Sequence, residues 1–137
     1  MERHGKRVLI ADEEETVRRL LAVILERAGY IVHSVADGIE ALSEMKIRRF
    51  DAVIVDCATP RLDGVRLLLL SRMMWPQIPG LLLSAEFMEL PELVQKQGMC
   101  ALIPKPFDPQ DLLRTLQETL SWASEQSAAG HMAAEAS

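Results

Sequence analysis

The chain has 137 residues, 49% of them hydrophobic and 26% charged, which fits one compact domain with a substantial core and excludes both a large multidomain enzyme and a disordered chain. A formal net charge of −5 without a long Lys/Arg run excludes a broad nucleic-acid footprint by this chain alone, because such a footprint needs a basic face. No apolar run approaches the roughly 20 residues that span a bilayer, and the N-terminus lacks the apolar stretch of a secretory signal; the expectation is a cytoplasmic protein that meets no membrane.

Residues 7–11 carry the run Val8-Leu9-Ile10-Ala11, too short for a helix and rich in branched side chains, which predicts a buried strand stopping abruptly at Asp12. From Glu14 onward, Val17, Leu20, Leu21, Ile24, Leu25 and Ala28 follow the spacing of one helix face, with acids in the first turn and Gly29 past the end. A strand at 30–35 and a helix at 38–47 repeat the unit. A fully apolar strand at 52–55 ends at Asp56, and a loop at 57–63 leads into a helix from Gly64 to Met74, halted by Trp75-Pro76. A strand at 81–83, a short helix beginning near Pro91, a strand at 101–103 and a helix at 109–122 complete the series.

Strands that read as continuous apolar runs, alternating with helices, predict a doubly wound α/β fold: a parallel sheet of five strands covered on both faces by helices. The domain is expected to span residues 1–122. Residues 123–137, rich in Ala, Ser and Glu, offer little to bury and are expected to form a mobile tail or the start of a linker. Cys57 and Cys100 lack a Cys-x-x-Cys pairing and read as small, reduced, buried residues. His4, His33 and His131 show no metal-ligand spacing.

In an open α/β sheet, ligands bind beyond the carboxyl ends of the strands, where the strand order reverses. What lies at those ends is Asp12 and Glu13 after the first strand, Asp56 after the third, Ser84 after the fourth and Lys105 after the fifth. Three carboxylates brought together repel unless a cation neutralises them, and an all-oxygen set selects a hard ion such as Mg²⁺ over zinc. A carboxylate beside such an ion can attack phosphorus to give an aspartyl phosphate. Lys105 supplies a point charge and Ser84 a hydroxyl for the spread charge of a phosphoryl group. Taken singly, each residue has an ordinary reading: Asp12 and Glu13 as acids at a helix start, Asp56 as a strand-end turn residue, Lys105 as a surface lysine.

Taken in order, Val8-Leu9-Ile10-Ala11-Asp12-Glu13-Glu14, Asp37-Gly38-Ile39-Glu40-Ala41-Leu42, Asp51-Ala52-Val53-Ile54-Val55-Asp56 with Thr59-Pro60-Arg61-Leu62-Asp63-Gly64, Ser84-Ala85 and Lys105-Pro106-Phe107 closely resemble the receiver domain of two-component response regulators, the CheY-like fold, over residues 6–121. The resemblance implies a flavodoxin-like strand order 2-1-3-4-5 with five helices. It implies Asp56 as phosphoacceptor, with Asp12, Glu13, Asp56 and the backbone carbonyl of Ala58 holding Mg²⁺, Ser84 sensing the phosphoryl group and Lys105 binding it. A cis peptide is expected at Lys105-Pro106.

Partners implied are a histidine kinase or histidine phosphotransfer protein, and a downstream protein or fused output domain; the chain is then either a stand-alone receiver or a receiver cut from a larger regulator or hybrid kinase. Such a protein is a self-modifying switch rather than an enzyme. Two positions depart from the family's commonest pattern. Glu13 stands where Asp is usual, its extra methylene shifting the carboxylate, and Leu102 stands where a switching Tyr or Phe is usual, leaving Phe87 as a candidate for that role.

Three alternatives compete. A haloacid-dehalogenase-like phosphatase needs an acid two residues after its nucleophile, and that position is Ala58. A flavin module on the same fold needs a Ser/Thr/Gly-rich loop where this chain has Asp12 to Glu15. A degenerate receiver serving only as a phosphorylation-independent docking module is the third.

Overall fold

The computed structural model describes residues 5–86 and 100–136, with side chains as far as residue 125. Every expected strand is present: β1 (Arg7–Ala11), β2 (Ile31–Val35), β3 (Ala52–Asp56), β4 (Gly80–Ser84) and β5 (Cys100–Pro104). All pairings are parallel and the order is β2-β1-β3-β4-β5, as expected. Among the described residues the helices are α1 (Glu15–Arg27), α2 (Gly38–Ile47), α3 (Gly64–Met74) and α4 (Pro109–Ala136). The short helix expected near Pro91, and Phe87, lie outside the described residues.

Strand alternation divides the core in two. Leu9, Ala11, Val53, Val55 and Leu82 face Ala41 and Met45 of α2 and Leu67 and Leu68 of α3, while Val8, Ile10, Ile54, Leu81, Leu83 and Ile103 face Leu21 and Leu25 of α1 and Leu112 and Leu116 of α4. Both faces of β1, β3 and β4 are therefore buried, which is why their sequences carry no polar alternation. Burial of each such leucine or isoleucine contributes about 1.5–3 kcal/mol. Caps fix where two helices begin: Asp37 Oδ1 accepts the Glu40 N–H at 2.8 Å, and Asp63 Oδ1 accepts the Arg66 N–H at 3.0 Å.

One boundary differs from the sequence reading. The last helix does not stop at Trp122 but continues through Ala136, so residues 123–136 are helical. Lack of anything to bury argued for a tail, but Ala, Glu, Gln and Met are strong helix formers, and a helix already nucleated on the sheet extends through them at little cost. The two cysteines are partly buried rather than fully so.

Candidate functional site

Strand order reverses between β1 and β3, which opens a crevice at their carboxyl ends. Ala11 pairs with Val55, so Asp12 and Asp56, the next residue of each chain segment, emerge side by side. Lys105 follows β5, two strands from β3; its N–H donates to the Ser84 carbonyl at 2.8 Å and its bond to Pro106 is cis, as the resemblance implied. From there its ammonium crosses the crevice to Asp56 Oδ1 at 2.5 Å and Asp12 Oδ2 at 3.3 Å.

Two carboxylates thus share one cation in a poorly hydrated place. Asp12 is 1% exposed, and burial, assisted by the negative charge of Asp56, holds its carboxyl above the ordinary aspartate range although the Glu14 N–H and Lys105 oppose that rise. Burial alone would lower the Lys105 ammonium, but its bond to Asp56 and the charges of Asp12 and Asp56 outweigh burial and hold it above the ordinary lysine value. The remaining oxygens are also engaged: Asp12 Oδ1 accepts the Glu14 N–H at 2.9 Å, and Asp56 Oδ2 accepts the Ala58 N–H at 3.1 Å. Burial, reinforced by Asp56, pushes the neighbouring Cys57 thiol up, away from the reactive thiolate.

Ser84 is buried at the end of β4, and its hydroxyl is locally committed, donating to the Glu86 carbonyl at 2.9 Å and accepting the Glu86 N–H at 3.2 Å. The expected crowding of three carboxylates is not formed. Among the described residues no three His, Cys, Asp or Glu side chains gather closely enough to hold a metal, and Glu13 is exposed. Lys105 is the group brought against both Asp12 and Asp56.

Two arginines complete the surroundings and escaped the sequence reading. Arg18 Nη1 donates to the carbonyls of Asp12 at 2.6 Å and Glu13 at 3.0 Å, holding the turn after β1; its place in the first turns of α1 was the only signal. Arg61 pairs with Asp37 across 24 residues, which no local pattern reveals. Leu102, the second departure, is partly buried and packs on the α2/α3 side of the sheet, paired in register with Leu82.

Close packing fixes the end of β3 from below. A Cβ on Gly64, the first residue of α3, would lie 2.5 Å from the Asp56 carbonyl oxygen and 2.8 Å from Leu82 Cδ1. Gly64→Ala is expected to destabilise by ~2 kcal/mol, a fall in Tm of about 7 °C by thermal denaturation.

Fold and site together define an α/β domain with an acid and lysine centre at the switch point of its sheet. The family model for the response regulator receiver domain matches residues 8–117. The chain is 32% identical over 109 residues to the alkaline phosphatase synthesis transcriptional regulatory protein PhoP of Bacillus subtilis, covering 79% of this chain and 45% of PhoP. It is 33% identical over 129 residues to the response regulator MprA of Mycobacterium tuberculosis, covering 93% of this chain and 56% of MprA; the chain thus spans about half the length of these relatives. The chemotaxis response regulator CheY4 of Vibrio cholerae superposes with a TM-score of 0.73 at 34% identity, covering 84% of this chain and 98% of CheY4. The receiver domain of the sensor histidine kinase PA1611 of Pseudomonas aeruginosa, solved with a magnesium ion coordinated in its active-site cleft, superposes with a TM-score of 0.75 at 28% identity, covering 85% of this chain and 98% of that one.

This chain belongs to the response regulator receiver domain family of two-component systems. No helix of the described residues is long and apolar enough to cross a membrane.

Proposed function

We propose that Asp56 accepts a phosphoryl group from a histidine kinase or histidine phosphotransfer protein, and that the modified domain changes its affinity for a downstream protein or a fused output domain. The observation that carries this reading is the convergence of Asp56 and Asp12 on the single ammonium of Lys105, at 2.5 and 3.3 Å, at the switch point of the sheet. In the transfer, a carboxylate oxygen of Asp56 forms a bond to phosphorus while the bond from phosphorus to the donor's imidazole nitrogen breaks. The nitrogen keeps that electron pair and the product is an acyl phosphate. Lys105 places its charge beside the phosphoryl oxygens, and Ser84 offers them a hydroxyl donor. Water later attacks the acyl phosphate, returning the carboxylate and inorganic phosphate, so the domain works as a self-resetting cytoplasmic switch and not on a separate substrate.

Mg²⁺ fits the donor set. The two carboxylates exceed the one lysine charge by one unit, their oxygens are close enough to share a cation, and Asp12 is desolvated enough to favour a partner of higher charge. Asp12, Asp56 and the Ala58 carbonyl would hold the ion, with Glu13 as the further carboxylate. When bound it supplies positive charge that offsets both the carboxylates and the phosphoryl oxygens. Residues 1–122 form the unit that carries this activity, and residues 123–137 act as the start of a linker, helical over 123–136.

A second reading, a receiver that docks its partner without being phosphorylated, is favoured by the exposure of Glu13 and by the aliphatic Leu102. Amide NMR during addition of Mg²⁺ and then beryllofluoride separates them. Shifts at the loops after β1 and β3 are expected on metal binding, and extension of the shifts to α4 with beryllofluoride marks a working relay. A spectrum unmoved by both additions overturns the phosphoacceptor reading and leaves the docking module.

A further inference from the structure

The loop that follows Asp56 is fastened to the start of α2 at one ion pair. Arg61 donates from Nε to Asp37 Oδ2 at 3.0 Å and from Nη2 to Asp37 Oδ1 at 3.2 Å. The same carboxylate caps α2 through the Glu40 N–H, so one side chain serves the helix and the loop together. Arg61 itself has φ 66°, in the left-handed region that an arginine adopts only where its surroundings compensate. Beside the pair, the Gly38 N–H donates to the Pro60 carbonyl at 3.4 Å, and a Cβ on Gly38 would overlap the backbone of Leu62, so α2 and the loop are in direct backbone contact.

Within the loop, the Thr59 hydroxyl donates to the Leu62 carbonyl at 2.8 Å and the Gly64 N–H to the Cys57 carbonyl at 3.0 Å, which closes the segment on itself. A closed loop moves as a unit. Its second residue is Ala58, whose N–H rests on Asp56 Oδ2 at 3.1 Å. The Ala58 N–H lies in the Cys57–Ala58 peptide and its carbonyl in the Ala58–Thr59 peptide, and the Thr59 N–H donates to the Asp56 carbonyl at 3.3 Å, so closure of the loop orients both groups relative to Asp56.

We propose that the Arg61–Asp37 pair is a clamp that positions the Ala58 peptide groups against Asp56, which makes Arg61 a positioning residue for the site although its guanidinium is engaged by Asp37 and not by the reacting carboxylate. Arg61 is 58% exposed, so water screens the attraction of the charges. The two-point geometry of the planar fork is what restrains the loop, and a lysine at this position does not replace it. The clamp's effect on metal uptake rests on the phosphoacceptor reading above; its effect on loop order does not.

Two variants test it on the metal-free protein and with Mg²⁺. Arg61→Asn keeps a residue that tolerates the left-handed backbone but lacks the fork, and Arg61→Lys keeps the charge. Both are expected to accelerate hydrogen exchange at the Ala58 and Gly38 amides about three- to tenfold and to weaken Mg²⁺ binding, read from amide shifts, about threefold. Asp37→Asn, which retains a capping acceptor, reproduces the effect. Arg19→Ala, which removes the exposed Arg19–Glu15 pair of α1, leaves both readouts at the parental value. Parental exchange at Ala58 in Arg61→Asn, or accelerated exchange with unaltered Mg²⁺ affinity, overturns the positioning role. Accelerated exchange in a protein whose parent ignores Mg²⁺ leaves the clamp standing and removes the phosphoacceptor reading instead.

Discussion

Asp56→Asn is expected to take up no phosphoryl group from acetyl phosphate under conditions that label the parent, read by intact mass. An amide has the same shape and its single oxygen still accepts from one of the two donors, Lys105 or the Ala58 N–H, so the fold survives; what it lacks is the anionic oxygen that attacks phosphorus. The instructive competitor is Asp12, the other carboxylate on the same ammonium. Its side chain is 1% exposed against 14% for Asp56, so Asp56 is the carboxylate more open to an entering phosphoryl group. Label retained in Asp56→Asn and mapped to Asp12 would show that the two acids have been assigned the wrong roles.

Lys105→Met is expected to lower stability at pH 7 by ~2 kcal/mol, a fall in Tm of about 7 °C, and to slow labelling by acetyl phosphate about a hundredfold. The stability loss follows from the charges left behind, since Asp12 and Asp56 then face each other across a poorly hydrated crevice. Its pH dependence has a definite sign. The ammonium's folded value is raised, so its stabilising contribution is complete below the ordinary lysine value and is lost only as pH rises through the folded one; at pH 7 the parent has all of it. Asp12 is raised by burial, and removing Lys105 removes one of the interactions that held it down. The protonated acid is therefore favoured in the folded variant, and the gap between variant and parent narrows as pH falls from 7 toward 5. Thermal denaturation at the two pH values checks this. The double variant Lys105→Met with Asp12→Asn should recover most of the lost Tm at pH 7, because it removes the buried charge rather than its partner.

How much of this was legible in the sequence depended on whether the cause was local. Runs such as Val8 to Ala11 and Ala52 to Val55 are apolar because both faces of β1 and β3 are covered, and a run of that length between helical periods has few other readings. Asp12, Asp56, Ser84 and Lys105 could be named because each directly follows or ends a strand, and parallel strands place those ends on one edge. The placement of Glu13 was not legible, because four consecutive acids follow β1 and sequence does not say which turns inward. Asp12 is enclosed and Glu13 is exposed. The end of α4 was missed because burial, the cue used, is not what sustains a helix of Ala, Glu and Gln. The Arg61–Asp37 contact was out of reach, since it joins two loops through a left-handed residue with no periodic signature.

The ring of hydrogen bonds between Ser84 and Glu86 has a consequence for how a message leaves the crevice. The hydroxyl has a single proton, and at rest that proton belongs to the Glu86 carbonyl. An incoming oxyanion that recruits it must first unfasten the ring, stranding a carbonyl and an amide that then have to find water or a new neighbour. On the proposed reading, engagement of Ser84 by a phosphoryl group and rearrangement of the Glu86 backbone are then one event, with the hydroxyl as a latch between them.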